Sequence, residues 1–262
     1  MAQEDTVERV VPGTESWDLY GLEHAQRYEF VASLIQGKRV LDAACGTGYG
    51  SNLMVVKGGA KSVLGIDVSE EALHFAARYA GPNVSFKKQD CMRLSDLNEK
   101  FEAVVSFETI EHLSEPEEFI RQVSEMLEPG GVFICSTPNK YRLSGSGNIN
   151  PFHPSELSFE EFEIVFQKYF VLNSAYHQSE TVQYSRYLEL RHMIAKVSGR
   201  SAAYAVNRIE NELRKVIGKE FVYDAYLRPG LDNMFEGDME ILPLDRGPEN
   251  WHKTFILFGL KK

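Results

Sequence analysis

The sequence is constrained most by one stretch, Val40-Leu-Asp-Ala-Ala-Cys-Gly-Thr-Gly-Tyr-Gly50. A short apolar run ends in Asp42, and a glycine-rich turn then opens a helix-like segment. Such a strand–turn–helix unit presents backbone N–H groups at a helix N-terminus to a small ligand. At Gly46 and Gly48 a side chain would hold ligand and backbone apart, and glycine accepts the positive φ that a tight turn needs. A dinucleotide fingerprint, G-x-G-x-x-G, seats a pyrophosphate on the helix. Here the spacing is G-x-G-x-G with Asp42 beside it, and a carboxylate in that place favours a ligand that carries positive charge.

Around this turn the hydrophobic periodicity alternates between strand and helix. Residues 19–35 repeat apolar side chains at helical spacing (Leu22, Ala25, Tyr28, Val31, Ala32, Ile35). Strands are predicted at Arg39–Ala44, Ser62–Asp67, Val84–Asp90, Phe101–Phe107, Val132–Thr137, Phe170–Tyr176 and Thr254–Leu260. Helices are predicted at Tyr49–Val56, after the N-cap Ser69, after a capping box at Ser114-Glu-Pro-Glu117, and after a second box at Ser158 and Glu161. The fold class is α/β: a Rossmann-like, doubly wound, mostly parallel seven-stranded sheet, with an antiparallel last strand and a helical insertion before it. Residues 1–16 are expected to be a mobile arm, and 17–179 with 251–262 the main domain. Residues 180–250 are too long for a connection. They are expected to form an inserted, mostly helical lobe that serves as a lid, an acceptor contact or a homodimer contact.

Composition narrows the partners. A net charge of −10 over 262 residues disfavours a nucleic-acid substrate. Cys45, Cys91 and Cys135 have no metal-ligand spacing, so reduced thiols in a cytoplasmic protein are expected. No run approaches the length of a membrane span and no export signal is evident.

Asp67 ends the second strand as Asp42 ends the first, and a carboxylate there can accept both ribose hydroxyls of a nucleoside. Asp90 and Cys91 follow the third strand. Three acids at the ends of three successive strands lie where an open α/β sheet binds ligands. The glycine turn resembles motif I of the class I S-adenosylmethionine-dependent methyltransferases, with Ala44 where the first glycine is usual. Phe101–Leu113 and Leu127–Pro138 resemble the later motifs, especially in relatives of the ubiquinone-biosynthesis O-methyltransferases and of methyltransferases from bacterial polysaccharide clusters. The resemblance implies S-adenosylmethionine as cofactor. It places Asp67 and Val68 at the ribose, Asp90 and the Cys91 N–H at adenine, and Arg27 at the cofactor carboxylate. Phe107 would line the methionine portion, with Tyr20 closing over it.

Methyl transfer to a hydroxyl needs alignment and a base. His153, in Asn150-Pro-Phe-His-Pro-Ser-Glu156, is the candidate base; His112 and Glu108 are the further catalytic candidates. No metal is expected, since no clustered acidic pair has ligand spacing. The acceptor is expected to be a small molecule, a sugar or sugar-containing metabolite. The rivals are a quinone or other aromatic acceptor, a non-catalytic cofactor-binding regulator, and an NAD-dependent oxidoreductase.

Overall fold

The computed structural model describes residues 10–12, 21–141, 152–180, 239–243 and 254–262. The chain divides into two units, one of residues 1–179 with 241–262 and one of residues 180–240.

Helices α1 (Leu22–Phe30) and α2 (Ala32–Ile35) precede β1 (Arg39–Ala43), which the glycine turn joins to α3 (Tyr49–Val56). Next come β2 (Ser62–Asp67), α4 (Glu70–Ala76), β3 (Val84–Lys88), β4 (Phe101–Phe107), α5 (Pro116–Met126) and β5 (Leu127–Pro138). The remainder is α6 (Phe159–Tyr169), β6 (Phe170–Glu180), β7 (Met239–Pro243) and β8 (Thr254–Lys261). The sheet order is β3-β2-β1-β4-β5-β8-β6-β7. Strands β1 to β5 are parallel, and β8 runs antiparallel between β5 and β6. The order reverses between β1 and β4, so the glycine turn after β1 opens at the crevice where such sheets take ligands.

The seven expected strands and the antiparallel last strand are present, and β7 adds an eighth within the stretch read as helical. Other expectations are corrected in detail. The helix read across residues 19–35 breaks at Val31, whose ψ of −5° tightens the turn so that Leu34 N–H reaches Val31 O at 2.9 Å. The box expected at Ser114 does not form. Pro116 occupies the first helical position, which moves the N-cap to Glu115, and no side chain caps it. At α6 the Ser158–Glu161 box is complete, and Ser69 caps α4 by accepting from Ala72 N–H.

Alternation along the strands buries both faces. On one face Leu41, Ala43, Val104, Phe133 and Cys135 pack with α5 and α6. Phe133 stacks on Phe166 with ring centroids 5.5 Å apart, and Phe170 closes the group at 5.0 Å from Phe166. Gly259 on β8 has no Cβ because Phe166 crosses it; an added Cβ would lie 2.4 Å from that ring. All three cysteines are free and buried. Among the described residues no helix is long and apolar enough to cross a membrane.

Candidate functional site

The glycine turn is held in shape by local bonds. Cys45 N–H donates to Ile66 O at 2.8 Å, and Gly48 N–H to Cys45 O at 3.1 Å. Three residues carry positive φ: Ala44 at +66°, Gly46 at +54° and Gly48 at +79°. Their reasons differ. A Cβ on Gly46 would meet nothing within 4 Å, so this residue borders open space into which a ligand can approach. A Cβ on Gly48 would sit 2.6 Å from Ala76 Cβ and 2.7 Å from Phe86, which makes Gly48 a packing glycine between α3, α4 and β3. The absence of a side chain at Gly48 is thus required by packing. Ala44 takes a left-handed conformation that glycine adopts without strain. Residues 10–12 reach this turn as well: Thr47 Oγ donates to Val10 O at 3.2 Å.

Asp42 does not face the turn's open side. It is fully buried, and its carboxylate accepts from Ser51 Oγ at 2.6 Å and Tyr28 OH at 3.3 Å. Alternation explains the orientation, because odd positions of β1 face α5 and α6 while Asp42 faces α1 and α3. Burial pushes its carboxyl up to about 7, outweighing the two hydrogen bonds that favour the anion. Asp42 thus anchors the strand to two helices.

Asp67 sits at the mouth. Oδ2 accepts from Gly46 N–H at 2.9 Å and Oδ1 from Ser69 N–H at 2.8 Å, so the carboxylate fixes the turn. Val68 beside it is 56% exposed, an apolar ledge at the end of β2. Asp90 is exposed and caps the next turn by accepting from Met92 N–H at 2.8 Å. The Cys91 side chain is buried in the core, which leaves only its backbone for a ligand.

Arg27 on α1 is 1% exposed. Its Nη1 donates to Gln178 Oε1 at 2.5 Å, and Nη2 lies 3.8 Å from Glu108 Oε2. Among the described residues Nε and Nη2 have no hydrogen-bond partner. Glu108 ends β4 at a φ of +49° and is held by Ser136 Oγ at 2.7 Å. Phe107, buried before it, packs edge-on to Tyr28 at 4.9 Å. Tyr20 lies outside the described residues.

The turn after β4 meets the segment after β5. Ser155 N–H donates to Glu111 O at 3.1 Å, and His112 Nδ1 donates to Phe152 O at 2.8 Å. The His112 and His153 rings pack edge-on at 4.7 Å. His153 Nδ1 is 3.3 Å from Glu156 Oε1. Glu111 is buried and accepts from Thr137 Oγ at 3.2 Å. Burial first, then the neighbouring Glu108 charge, raise its carboxyl well above the usual range. Ligand-type atoms of Glu111, His112 and His153 all lie within 4.8 Å of one another, with His112 Nε2 4.0 Å from Glu111 Oε1. The sequence showed no metal-like spacing because His153 lies 41 positions beyond His112 in the chain. Ser136, uncharged and inside a predicted strand, and Gln178, uncharged and two residues beyond one, were likewise invisible, with no motif to mark them.

Residues 40–131 match the methyltransferase domain family. The chain is 35% identical over 159 residues to a protein of Mycolicibacterium smegmatis described as a probable S-adenosylmethionine-dependent methyltransferase; the match covers 60% of each chain. A ubiquinone biosynthesis O-methyltransferase of Neisseria meningitidis is 36% identical over 111 residues, 40% of this chain and 46% of its own. A solved S-adenosylmethionine-dependent methyltransferase structure from Thermotoga maritima has a TM-score of 0.59 at 14% identity, covering 95% of this chain and 94% of its own, and shares the fold.

Proposed function

We propose that this protein binds S-adenosylmethionine and moves its methyl group to a hydroxyl of a small acceptor, of the sugar-containing class. The observation that carries the proposal is the pairing of a ribose-type carboxylate, Asp67, with a turn whose Gly46 borders open space. The methyltransferase domain match and the names of the similar proteins support the same cofactor. Asp67 accepts the ribose hydroxyls, Asp90 the adenine amino group, and the Cys91 N–H donates to the adenine ring. Phe107 lines the methionine chain, and the free edge of Arg27 takes its carboxylate.

Methyl transfer is an in-line displacement: the acceptor oxygen forms a bond to the methyl carbon as the bond to sulfur breaks, and the hydroxyl proton leaves to a base. In this reading His153 takes that proton, and the Glu156 carboxylate, 3.3 Å from Nδ1, supports the imidazolium that forms. His112, tied to the Phe152 carbonyl, fixes the loop that carries His153. The test is methyl transfer to a panel of sugar nucleotides, glycosides and phenols, read by mass. Transfer to phenols alone would move the acceptor to the aromatic class, and no transfer with intact cofactor binding would favour a regulatory module.

The closeness of Glu111, His112 and His153 favours a second reading of the acceptor side. One carboxylate oxygen and two imidazole nitrogens form a donor set suited to manganese, iron or zinc rather than magnesium. A cation there would lower the acceptor hydroxyl's pKa in place of a protein base. Dialysis against a chelator separates the two readings. Unchanged turnover supports His153 as the base, and a loss restored by manganese supports the cation.

A further inference from the structure

Arg27 combines features that a buried arginine rarely shows together. It is 1% exposed, yet among the described residues two of its three nitrogens have no hydrogen-bond partner. Unmet buried donors are costly, and an arginine in that state is one arranged for an absent anion. The unmet pair is Nε and Nη2, the side of the guanidinium that grips a carboxylate through two parallel bonds. The third nitrogen, Nη1, is held by a residue 151 positions away, Gln178 on β6. Gln178 is fully buried and its amide is engaged at both ends. Oε1 accepts from Arg27 at 2.5 Å, while Nε2 donates to Glu23 O at 3.1 Å and to Gln26 Oε1 at 3.3 Å. Two acceptors around Nε2 fix which end of the amide faces Arg27. Gln178 therefore holds the guanidinium at Nη1, away from the Nε–Nη2 edge, and adds no charge of its own beside it. The nearest ion-pair carboxylate among the described residues, Glu108, stands off at 3.8 Å and is bonded to Ser136.

We propose that Gln178 is a positioning residue for cofactor recognition: its neutral amide fixes Arg27 with the Nε–Nη2 edge open, and so sets the affinity for the carboxylate of the methionine portion. The inference rests on the reading of Arg27 as the carboxylate's partner. A glutamate at 178 would give Arg27 a permanent internal counter-ion in competition with the ligand. An apolar side chain of similar length would leave the guanidinium unheld.

The test compares S-adenosylmethionine with its decarboxylated form, which keeps the sulfonium and amine and lacks only the carboxylate. Binding of both is measured calorimetrically to wild type, Gln178→Glu, Gln178→Met and Arg27→Met, with steady-state kinetics on an acceptor found in the panel. Gln178→Glu is expected to weaken S-adenosylmethionine at least about tenfold, raising KM with kcat within about twofold, while the decarboxylated form changes by less than about threefold. Gln178→Met should shift the same ratio in the same direction by a smaller factor. Arg27→Met should erase the preference for the carboxylated ligand. If Arg27→Met erases it and neither Gln178 variant moves it, the positioning role is overturned alone. If Arg27→Met leaves it intact, the reading of Arg27 has failed as well. Equal loss of both ligands in the Gln178 variants would make the residue purely structural and overturn the inference.

Discussion

Gln178 on β6 and Arg27 on α1 share a hydrogen bond of 2.5 Å in a fully buried place, and it joins the helix before the sheet to a strand near its far edge. The bond makes the edge of the ligand crevice a product of the whole domain. Arg27 is oriented by β6, its free edge lies by Glu108 at the end of β4, and α1 is fastened to the glycine unit through Tyr28 and Asp42.

Asp42 gives the domain a pH signature. Its folded carboxyl is raised from 3.8 to about 7, so the folded state holds the proton more tightly than the unfolded chain. The stability this contributes is present below about pH 4 and is lost as pH rises through 7, up to about 4 kcal/mol on an order-of-magnitude scale. Asp42→Asn removes the titration. The Tm difference between variant and wild type should therefore grow in the variant's favour from pH 5 to pH 8, measured by calorimetry. A constant difference across that range contradicts the buried-acid account.

The glycine turn predicts three different outcomes for three adjacent substitutions. Gly48→Ala combines positive φ with contacts under 3 Å and should cost about 2–5 kcal/mol. Gly46→Ala costs only the backbone strain of about 1–2 kcal/mol and acts chiefly on ligand affinity. Ala44→Gly relieves strain at φ +66° and should be neutral or stabilising by up to about 1 kcal/mol. Chemical denaturation of the ligand-free variants checks the order; equal losses for Gly46→Ala and Gly48→Ala would refute it.

Much of this was legible locally. The glycine turn, the caps at Ser69 and Ser158 and the strands ending in Asp42, Asp67 and Phe107 follow from period and spacing within a few residues. What the sequence hid depends on distance. Arg27 meets Gln178, and His112 meets His153, only after the sheet has formed. The eighth strand, Met239–Pro243, is too short to show alternation and is defined by its edge position. Ser114 misled because Pro116 moved the helix start by one residue, and the packing demand on Gly48 was hidden because its neighbours Ala76 and Phe86 come from other elements.

For chemistry, His153→Gln keeps the ring's approximate size and removes the base. With His153 as the base, kcat falls on the order of 10²–10⁴-fold while affinity for S-adenosylhomocysteine is unchanged. Turnover near wild type, with intact cofactor binding, would reject the assignment. Glu156→Gln should produce a smaller loss of kcat, because the imidazolium that forms loses its carboxylate neighbour.

The central claim is that the crevice at Gly46 and Asp67 holds an adenosyl cofactor, and calorimetric titration with S-adenosylhomocysteine tests it most directly. Wild type is expected to bind with a dissociation constant on the order of micromolar, and Asp67→Ala at least about tenfold more weakly, which is a loss of about 1.4 kcal/mol or more. Absence of binding to folded wild type, or equal binding by Asp67→Ala, would contradict the account and assign the glycine turn to a different ligand.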